Sequence, residues 1–157
     1  MKKIGYSLLI TLLFFMTISC HSKKEDDNNQ TNINNNKSTN SIEVIKSVKA
    51  IINGIEYTID LEDNETTRSF INYLPQELKM SELNGNEKYV YLDTSFPTNS
   101  SNPKIINAGD VMLYGDNCLV IFYKSFNTSY SYTKIGHINN LSNLGNNNIT
   151  VRFENEK

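Results

Sequence analysis

The side chains best suited to binding a ligand in this sequence are tyrosines that lie within or beside strand-like segments. A tyrosine ring offers a broad apolar surface, and its hydroxyl can donate and accept a hydrogen bond. Several such side chains suit an apolar groove with a few polar contacts, although some of them must serve strand packing. The group consists of Tyr89, Tyr91, Tyr114, Tyr123, Tyr130 and Tyr132.

Residues for metal binding or covalent catalysis are few. His137 has no second His or Cys at ligand spacing, so we expect no zinc site. Asp110 and Asp116 flank one predicted hairpin and offer too few oxygen ligands for calcium, and Asp110 is interpreted as a turn residue. The sequence contains no glycine-rich phosphate loop, nucleophile elbow or Ser/His/Asp arrangement. We therefore expect no bound metal, no cofactor and no catalytic residue of a known motif.

The charge balance argues against a nucleic-acid partner. The 157 residues contain 15 Lys plus Arg and 17 Asp plus Glu, and the basic residues form no cluster. Proteins that bind nucleic acids carry basic patches that neutralise phosphates. We therefore expect no nucleic-acid partner. The length of the chain suits one domain with a core of its own.

The first residues have the composition of an export signal. Lys2 and Lys3 precede Ile4–Ile18, a mostly apolar segment that is short for a membrane span. Ser19–Cys20 resembles a bacterial lipobox, which implies that Cys20 is lipidated and that the peptide before it is removed. An ordinary signal peptide with a cysteine near the cut is the alternative. We expect a signal peptide over residues 1–19 and a lipid-anchored protein of the bacterial cell envelope, at the outer membrane or cell surface.

Residues 20–41 are expected to form the lipidated cysteine and a disordered tether. His21–Ser41 contains seven Asn and one aliphatic residue, Ile33, too few apolar side chains to offset the entropy of ordering. Lys23–Asp27 is either a surface-export signal or a solvated linker.

With Cys20 modified, Cys118 has no partner for an intrachain disulfide. Cys118 is interpreted as a small buried hydrophobe, with a catalytic thiol as the alternative.

Residues 42–157 are predicted to form a strand-rich domain. Two hairpins are indicated by turn residues, Asn53–Gly54 and Gly115–Asn117, each between apolar runs. A helix is predicted over Glu65–Leu74, and a short helical turn at Leu141 and Leu144. Spacing typical of βαβ units is absent, which favours an antiparallel barrel. The predicted strands are Ile42–Ile52, Ile55–Ile59, Leu78–Leu83, Glu87–Leu92, Val111–Tyr114, Cys118–Tyr123, Tyr132–Ile138 and Ile149–Phe153.

Six short pieces of the folded part, roughly Val48–Phe153, come in a characteristic order. They are Asn64–Phe70, Leu74–Pro75, Glu87–Lys88, Gly109–Asp110, Phe122–Tyr123 and Ile135–Ile138. Together they resemble the bacterial cyclophilin-like proteins. The resemblance implies a mainly β fold, a closed eight-stranded antiparallel cyclophilin-like β-barrel with one or two short helices, and agrees with the strand pattern.

The resemblance does not extend to the cyclophilin catalytic residues. Cyclophilins place an arginine in a Phe–His–Arg strand motif and add a Gln, a Trp and a His around the proline pocket. The matching strand here, Glu87–Leu92, contains no arginine, and the chain contains no Trp. His137 lies in a late strand rather than in the preceding loop. This favours a membrane-anchored binding module for a peptide, glycan or small molecule, with a prolyl isomerase or other enzyme with a relocated active site as the alternative.

Five residues are predicted to contact the ligand. Arg68 could otherwise pair with an acid on its helix, and Glu87 could otherwise form a cross-strand ion pair of under about 1 kcal/mol. In the alternative function, Arg68 or Lys88 would replace the cyclophilin arginine. The predicted ligand-binding residues are Arg68, Glu87, Tyr89, Phe122 and Tyr123.

Lipidation of Cys20 can be tested by metabolic labelling of cells with a palmitate analogue. We expect the wild-type chain and Cys118→Ala, a matched cysteine control, to carry the label and Cys20→Ala to lose it, because acylation requires the thiol of Cys20. Equal labelling of wild type and Cys20→Ala would contradict the lipobox interpretation.

Overall fold

The computed structural model describes residues 45–156. The predicted signal peptide, the lipidation site Cys20 and the tether therefore lie outside the described residues. Within the described part, no helix is long and apolar enough to cross a membrane.

Ten strands and one helix make up the described part of the chain. Eight of the strands close into an antiparallel barrel in the order β1-β10-β3-β4-β7-β6-β9-β2, and β5 pairs with β8 in a separate two-stranded ribbon. This confirms the predicted eight-stranded barrel. In chain order the elements are β1 (Ser47–Ile52), β2 (Ile55–Leu61), α1 (Glu65–Tyr73), β3 (Gln76–Leu83), β4 (Glu87–Tyr91), β5 (Ile105–Ile106), β6 (Asp110–Tyr114), β7 (Cys118–Phe122), β8 (Phe126–Asn127), β9 (Thr133–Ile138) and β10 (Ile149–Asn155).

Turn residues with left-handed backbone geometry join the first two strands. Asn53 has φ 51° and Gly54 has φ 80°, as a two-residue hairpin turn of the primed type requires. Ile52 pairs with Ile55 across the turn, and the register continues to Ser47 and Asp60. The Asn–Gly signal in the sequence therefore sets the pairing of β1 with β2.

The interior of the barrel is filled by every second side chain of its strands. This alternation is the period-two pattern of a sheet with one face in a core. Fully buried members from around the wall include Val48, Ile59, Leu113, Ile121, Ile135 and Phe153.

Helix α1 closes one end of the barrel. Its N-cap is Asn64, whose side-chain oxygen accepts from the backbone N–H of Thr67 at 2.9 Å. The Asn64 side chain also donates to the carbonyl of Lys134 in β9 at 2.8 Å. Phe70 is fully buried, and its ring meets that of Phe153 edge-on with centroids 5.5 Å apart. Capping and packing together hold the helix over the barrel.

An irregular loop over residues 139–148 covers the opposite end, where β9 leads into β10. The predicted helical turn at Leu141 and Leu144 is wrong: these residues are not helical. Leu144 instead packs into the core. The carbonyls of Gly145 and Asn147 accept hydrogen bonds from a side chain inside the barrel.

That side chain is Lys88, which points into the barrel and is 0% exposed. Its ammonium group donates to Gly145 O at 2.6 Å and to Asn147 O at 2.8 Å, and it forms an ion pair with Glu82 on the neighbouring strand. The hydroxyl of Tyr123 donates to the same carboxylate at 2.9 Å. A cation inside an apolar barrel is tolerated because all of these partners surround it.

The charge of Glu82 is stabilised by this network. Burial raises the pKa of the Glu82 carboxyl, but hydrogen bonds from Lys88, Tyr123 and the backbone of Gly85 outweigh burial, so the net pKa lies below its usual value of 4.5. Burial, and then Glu82, raise the pKa of Tyr123 to about 12. Because the pKa of Glu82 is lowered by folding, its contribution to stability is present above pH 4.5 and is lost as the pH falls through the lowered value.

We predict that Lys88→Met lowers the free energy of unfolding by about 3–5 kcal/mol, because it leaves the charge of Glu82 buried without its partner. The double variant with Lys88→Met and Glu82→Leu should lose less free energy of unfolding than Lys88→Met alone. The matched control is Lys49→Met, which removes an exposed pair with Glu56 (2.8 Å) and should cost far less than Lys88→Met, because that pair is solvated.

Urea unfolding followed by circular dichroism measures these differences. At a pH well below 4.5 the gap between wild type and Lys88→Met should narrow, since Glu82 is then protonated in both proteins. Equal losses for Lys88→Met and Lys49→Met at neutral pH would contradict the role of the buried pair.

Candidate functional site

The strand register sorts the residues of three neighbouring strands onto the outer face of the barrel. On β4, Val90 packs into the interior, so Glu87, Tyr89 and Tyr91 point outward. Across the sheet, Tyr91 pairs with Cys118 of β7, which in turn pairs with Tyr114 of β6. An outward-facing apolar row therefore crosses β4, β7 and β6.

A second apolar cluster lies on this outer face. Its buried members come mainly from β6 and β7, and the β5–β8 ribbon covers part of it through Ile106 and Phe126. The rings of Phe122 and Phe126 lie 5.7 Å apart, and those of Phe122 and Tyr132 lie 5.4 Å apart. The buried members are Ile106, Met112, Cys118, Val120, Phe122 and Tyr132.

Beside the ribbon the outer face forms an open cavity of about 310 Å³, here called the tyrosine groove. Cys118 and Val120 form its floor, and tyrosines stand on both sides of it. Tyr91 is 66% exposed, Tyr114 44% and Tyr130 60%, although they are large aromatic side chains. The lining residues are Leu83, Asn84, Glu87, Tyr89, Tyr91, Tyr114, Cys118, Val120, Tyr130 and Tyr132.

The tyrosines of the groove pack against one another on each wall. On the β4 side, the rings of Tyr89 and Tyr91 lie 6.0 Å apart at an interplanar angle of 83°. On the other side, Tyr114 contacts Tyr130 at 6.1 Å and 89°, and Tyr132 at 5.6 Å and 52°. Edge-to-face pairs of this kind fix ring orientation, so the groove is shaped before a ligand arrives.

The wall formed by Tyr130 and Tyr132 is held by the long loop that follows β4. The backbone of Tyr132 exchanges two hydrogen bonds with Ser101, at 2.9 and 3.0 Å. The N–H of Thr128 donates to Lys104 O at 2.9 Å, and the Thr128 hydroxyl accepts from the N–H of Tyr130 at 3.1 Å. The segment before β9 is thereby fixed opposite β4.

Glu87 is the one charged residue among those that line the groove. Burial, and then the nearby charge of Glu82, raise the pKa of its carboxyl. Burial also raises the pKa of Tyr132, and the charge of Glu87 adds to that increase. No salt bridge within residues 45–156 includes Glu87.

The thiol on the floor of the groove is protonated at neutral pH. Burial, and then the charge of Glu87, raise the pKa of Cys118 to about 11. The thiolate is the nucleophilic form of cysteine, so Cys118 acts here as an apolar floor residue.

The structure brings some of the predicted ligand-binding residues together and separates others. Glu87 and Tyr89 line the groove, and Phe122 lies fully buried beside it in the outer cluster. Tyr123 points into the barrel and donates to Glu82. Arg68 lies on α1, with its guanidinium 2.7 Å from Asp63. The cross-strand ion pair considered for Glu87 is not present among the described residues; the pair that β4 forms with β3 joins Lys88 to Glu82.

Four further tyrosines line the groove. They belong to the six tyrosines singled out in the sequence but were not among the five predicted ligand contacts. Tyr91 could have been added from the alternation Glu87, Tyr89, Tyr91, because side chains two apart share a face of a strand. Tyr114 follows from its pairing with Cys118. Tyr130 and Tyr132 reach the groove through the long loop, which no local pattern indicates.

A second polar cluster lies on the outer face where β6 meets β9. Asp110 is buried, and its carboxylate contacts His137 Nδ1 at 3.0 Å and Lys134 Nζ at 3.2 Å. The same carboxylate accepts from the N–H of Asn107 at 2.9 Å, as expected of a turn residue. Gly109, at φ 100°, lies against His137 and the carbonyl of Ile138, where any side chain would collide. Among the described residues, no set of three or more His, Cys, Asp or Glu is grouped to hold a metal ion.

Comparison with known proteins identifies a family for the barrel domain. A model of the cyclophilin-like family matches residues 50–154, which is more than half of the chain. No curated protein matches the chain. A solution structure of a hypothetical protein from Archaeoglobus fulgidus is similar, with 18% identity over 72% of this chain and 96% of that chain, at a TM-score of 0.48.

Proposed function

The chain belongs to the cyclophilin-like family, and we propose that its barrel is a binding module whose ligand occupies the tyrosine groove. The proposal includes the anchor: lipidated Cys20 would attach the module to a membrane of the bacterial cell envelope, at the outer membrane or cell surface. The ligand is a peptide or a small molecule.

The single observation that supports binding is the groove itself. Its volume, about 310 Å³, falls at the lower end of the range of small-molecule sites. Exposed aromatic side chains that gather around one cavity are costly to leave in water, whereas scattered ones are ordinary. Tyrosine rings also give a large contact area while losing little conformational freedom on binding.

The charges around the groove favour binding over prolyl isomerisation. Isomerisation is accelerated by a cation or donor placed at the imide nitrogen in a desolvated site. The outward positions of β4 present Glu87 and two tyrosines, and the lining residues include no Lys or Arg. Lys88 is enclosed in the barrel with Glu82, and Arg68 on α1 pairs with Asp63, which precedes the helix. The two candidate surrogate cations are therefore engaged outside the groove.

Binding in the groove can be tested by ligand-observed NMR with a library of small polar, aromatic and charged compounds and short peptides, on the full-length protein in a maltoside detergent. We expect hits whose affinity falls at least about tenfold, or 1.4 kcal/mol, in Tyr114→Ala and in Tyr130→Ala, because each removes one ring from the wall opposite β4. The control Ile55→Ala removes an exposed apolar side chain at the β1–β2 turn and should leave affinity unchanged. Hits that survive both tyrosine variants, or the absence of hits, would contradict the proposal.

The isomerase alternative is tested with a standard proline-peptide isomerisation assay. We expect a rate at background, since loss of one preorganised electrostatic group typically costs about 10²–10³ in rate and several are missing here. Acceleration that vanished in Arg68→Ala but persisted in Lys124→Ala would make Arg68 a relocated catalytic residue and overturn this expectation.

A further inference from the structure

We infer that the tyrosine groove recognises an organic cation, namely a free small molecule that carries a methylated ammonium group. The inference rests on the proposed function, because it names the class of ligand for the same groove. Three features support it: the sign of the charge, the arrangement of the rings and the apolar floor.

The groove is electrostatically suited to a cation. Its lining contains one carboxylate, that of Glu87, and no Lys or Arg. Burial, and then repulsion by the carboxylate of Glu82, raise the pKa of the Glu87 carboxyl, and the cation paired with Glu82, Lys88, lies inside the barrel. A half-buried carboxylate without a counter-ion is unfavourable, and a bound cation would supply the missing charge.

The rings around Glu87 suit a cation as well. The face of an aromatic ring carries negative charge density and attracts a cation within about 6 Å of its centroid. Tyrosines stand on two sides of the cavity. The interplanar angle is 83° between Tyr89 and Tyr91 on one wall and 89° between Tyr114 and Tyr130 on the other. Rings that surround a cavity from several directions are the arrangement by which aromatic cages hold quaternary ammonium groups.

The floor of the groove selects among cations. Val120 and the protonated thiol of Cys118 offer no oxygen ligand, and metal ions such as calcium require six or more. A primary ammonium is strongly hydrated and would lose water over this floor, whereas a methylated ammonium presents methyl groups to it. The volume of about 310 Å³ accommodates such a head group with a short substituent.

The test compares choline with 3,3-dimethylbutan-1-ol, its uncharged isostere, on the full-length protein in a maltoside detergent. The chain contains no Trp, and five of its nine tyrosines line the groove, so a change in tyrosine fluorescence accompanies binding there. Calorimetry gives the affinity. We expect choline to bind at least about tenfold more tightly than the isostere. Glu87→Gln should weaken choline binding and so reduce that preference, because it removes the carboxylate that faces the cation. The matched control Glu56→Gln, at an exposed acid on β2, should preserve it.

Equal binding of the two compounds would overturn the inference and leave the proposed function standing, because the groove would still bind an apolar ligand. Absence of choline binding would also overturn it, while the hits of the compound library, judged by Tyr114→Ala and Tyr130→Ala, decide the proposed function separately. A choline preference that Glu87→Gln left intact would place the cation elsewhere. A trimethyllysine peptide or a soluble short-chain phosphatidylcholine that bound at least tenfold more tightly than choline would overturn the assignment to a free small molecule.

Discussion

The ion pair between Lys88 and Glu82 fixes how β4 lies in the barrel wall. A slip of β4 by one residue would move Lys88 from its enclosed partners into the apolar cluster outside, and would turn Tyr89 into the interior. The same ammonium group also donates to the carbonyls of Gly145 and Asn147. The position of the loop over residues 139–148 therefore depends on the same register. The outward display of the groove residues is therefore a consequence of one buried charge.

Strand β7 joins the two apolar clusters found within residues 45–156. Leu119 and Ile121 face the barrel interior, while Cys118, Val120 and Phe122 face the outer cluster. A strand that is apolar on both faces is typical of a sheet covered on both sides. In this barrel the second cover is partial, because the β5–β8 ribbon reaches Phe122 but leaves Cys118 and Val120 as the floor of a cavity. The groove is therefore the part of the outer apolar cluster that the β5–β8 ribbon does not cover.

Much of the fold could be predicted from the sequence, and less of the site. Local signals such as Asn53–Gly54 and the alternation on β4 determine single elements, and their order indicates a barrel. On β7 the run is apolar throughout, so no period-two pattern tells which of Phe122 and Tyr123 faces inward. The sequence prediction therefore put both in the site, and the structure places Tyr123 inside the barrel. Contacts of Tyr132 with Ser101 join distant segments, which no local pattern encodes.

The thiol of Cys118 makes the floor of the groove resistant to oxidation and to disulfide exchange. Disulfide exchange and oxidation proceed through the thiolate, and a pKa of about 11 leaves about one molecule in 10⁴ in that form at pH 7. The side chain is also buried beneath the tyrosines, where an oxidant has little access. The floor thus keeps its shape and neutrality in oxidising and in reducing surroundings alike.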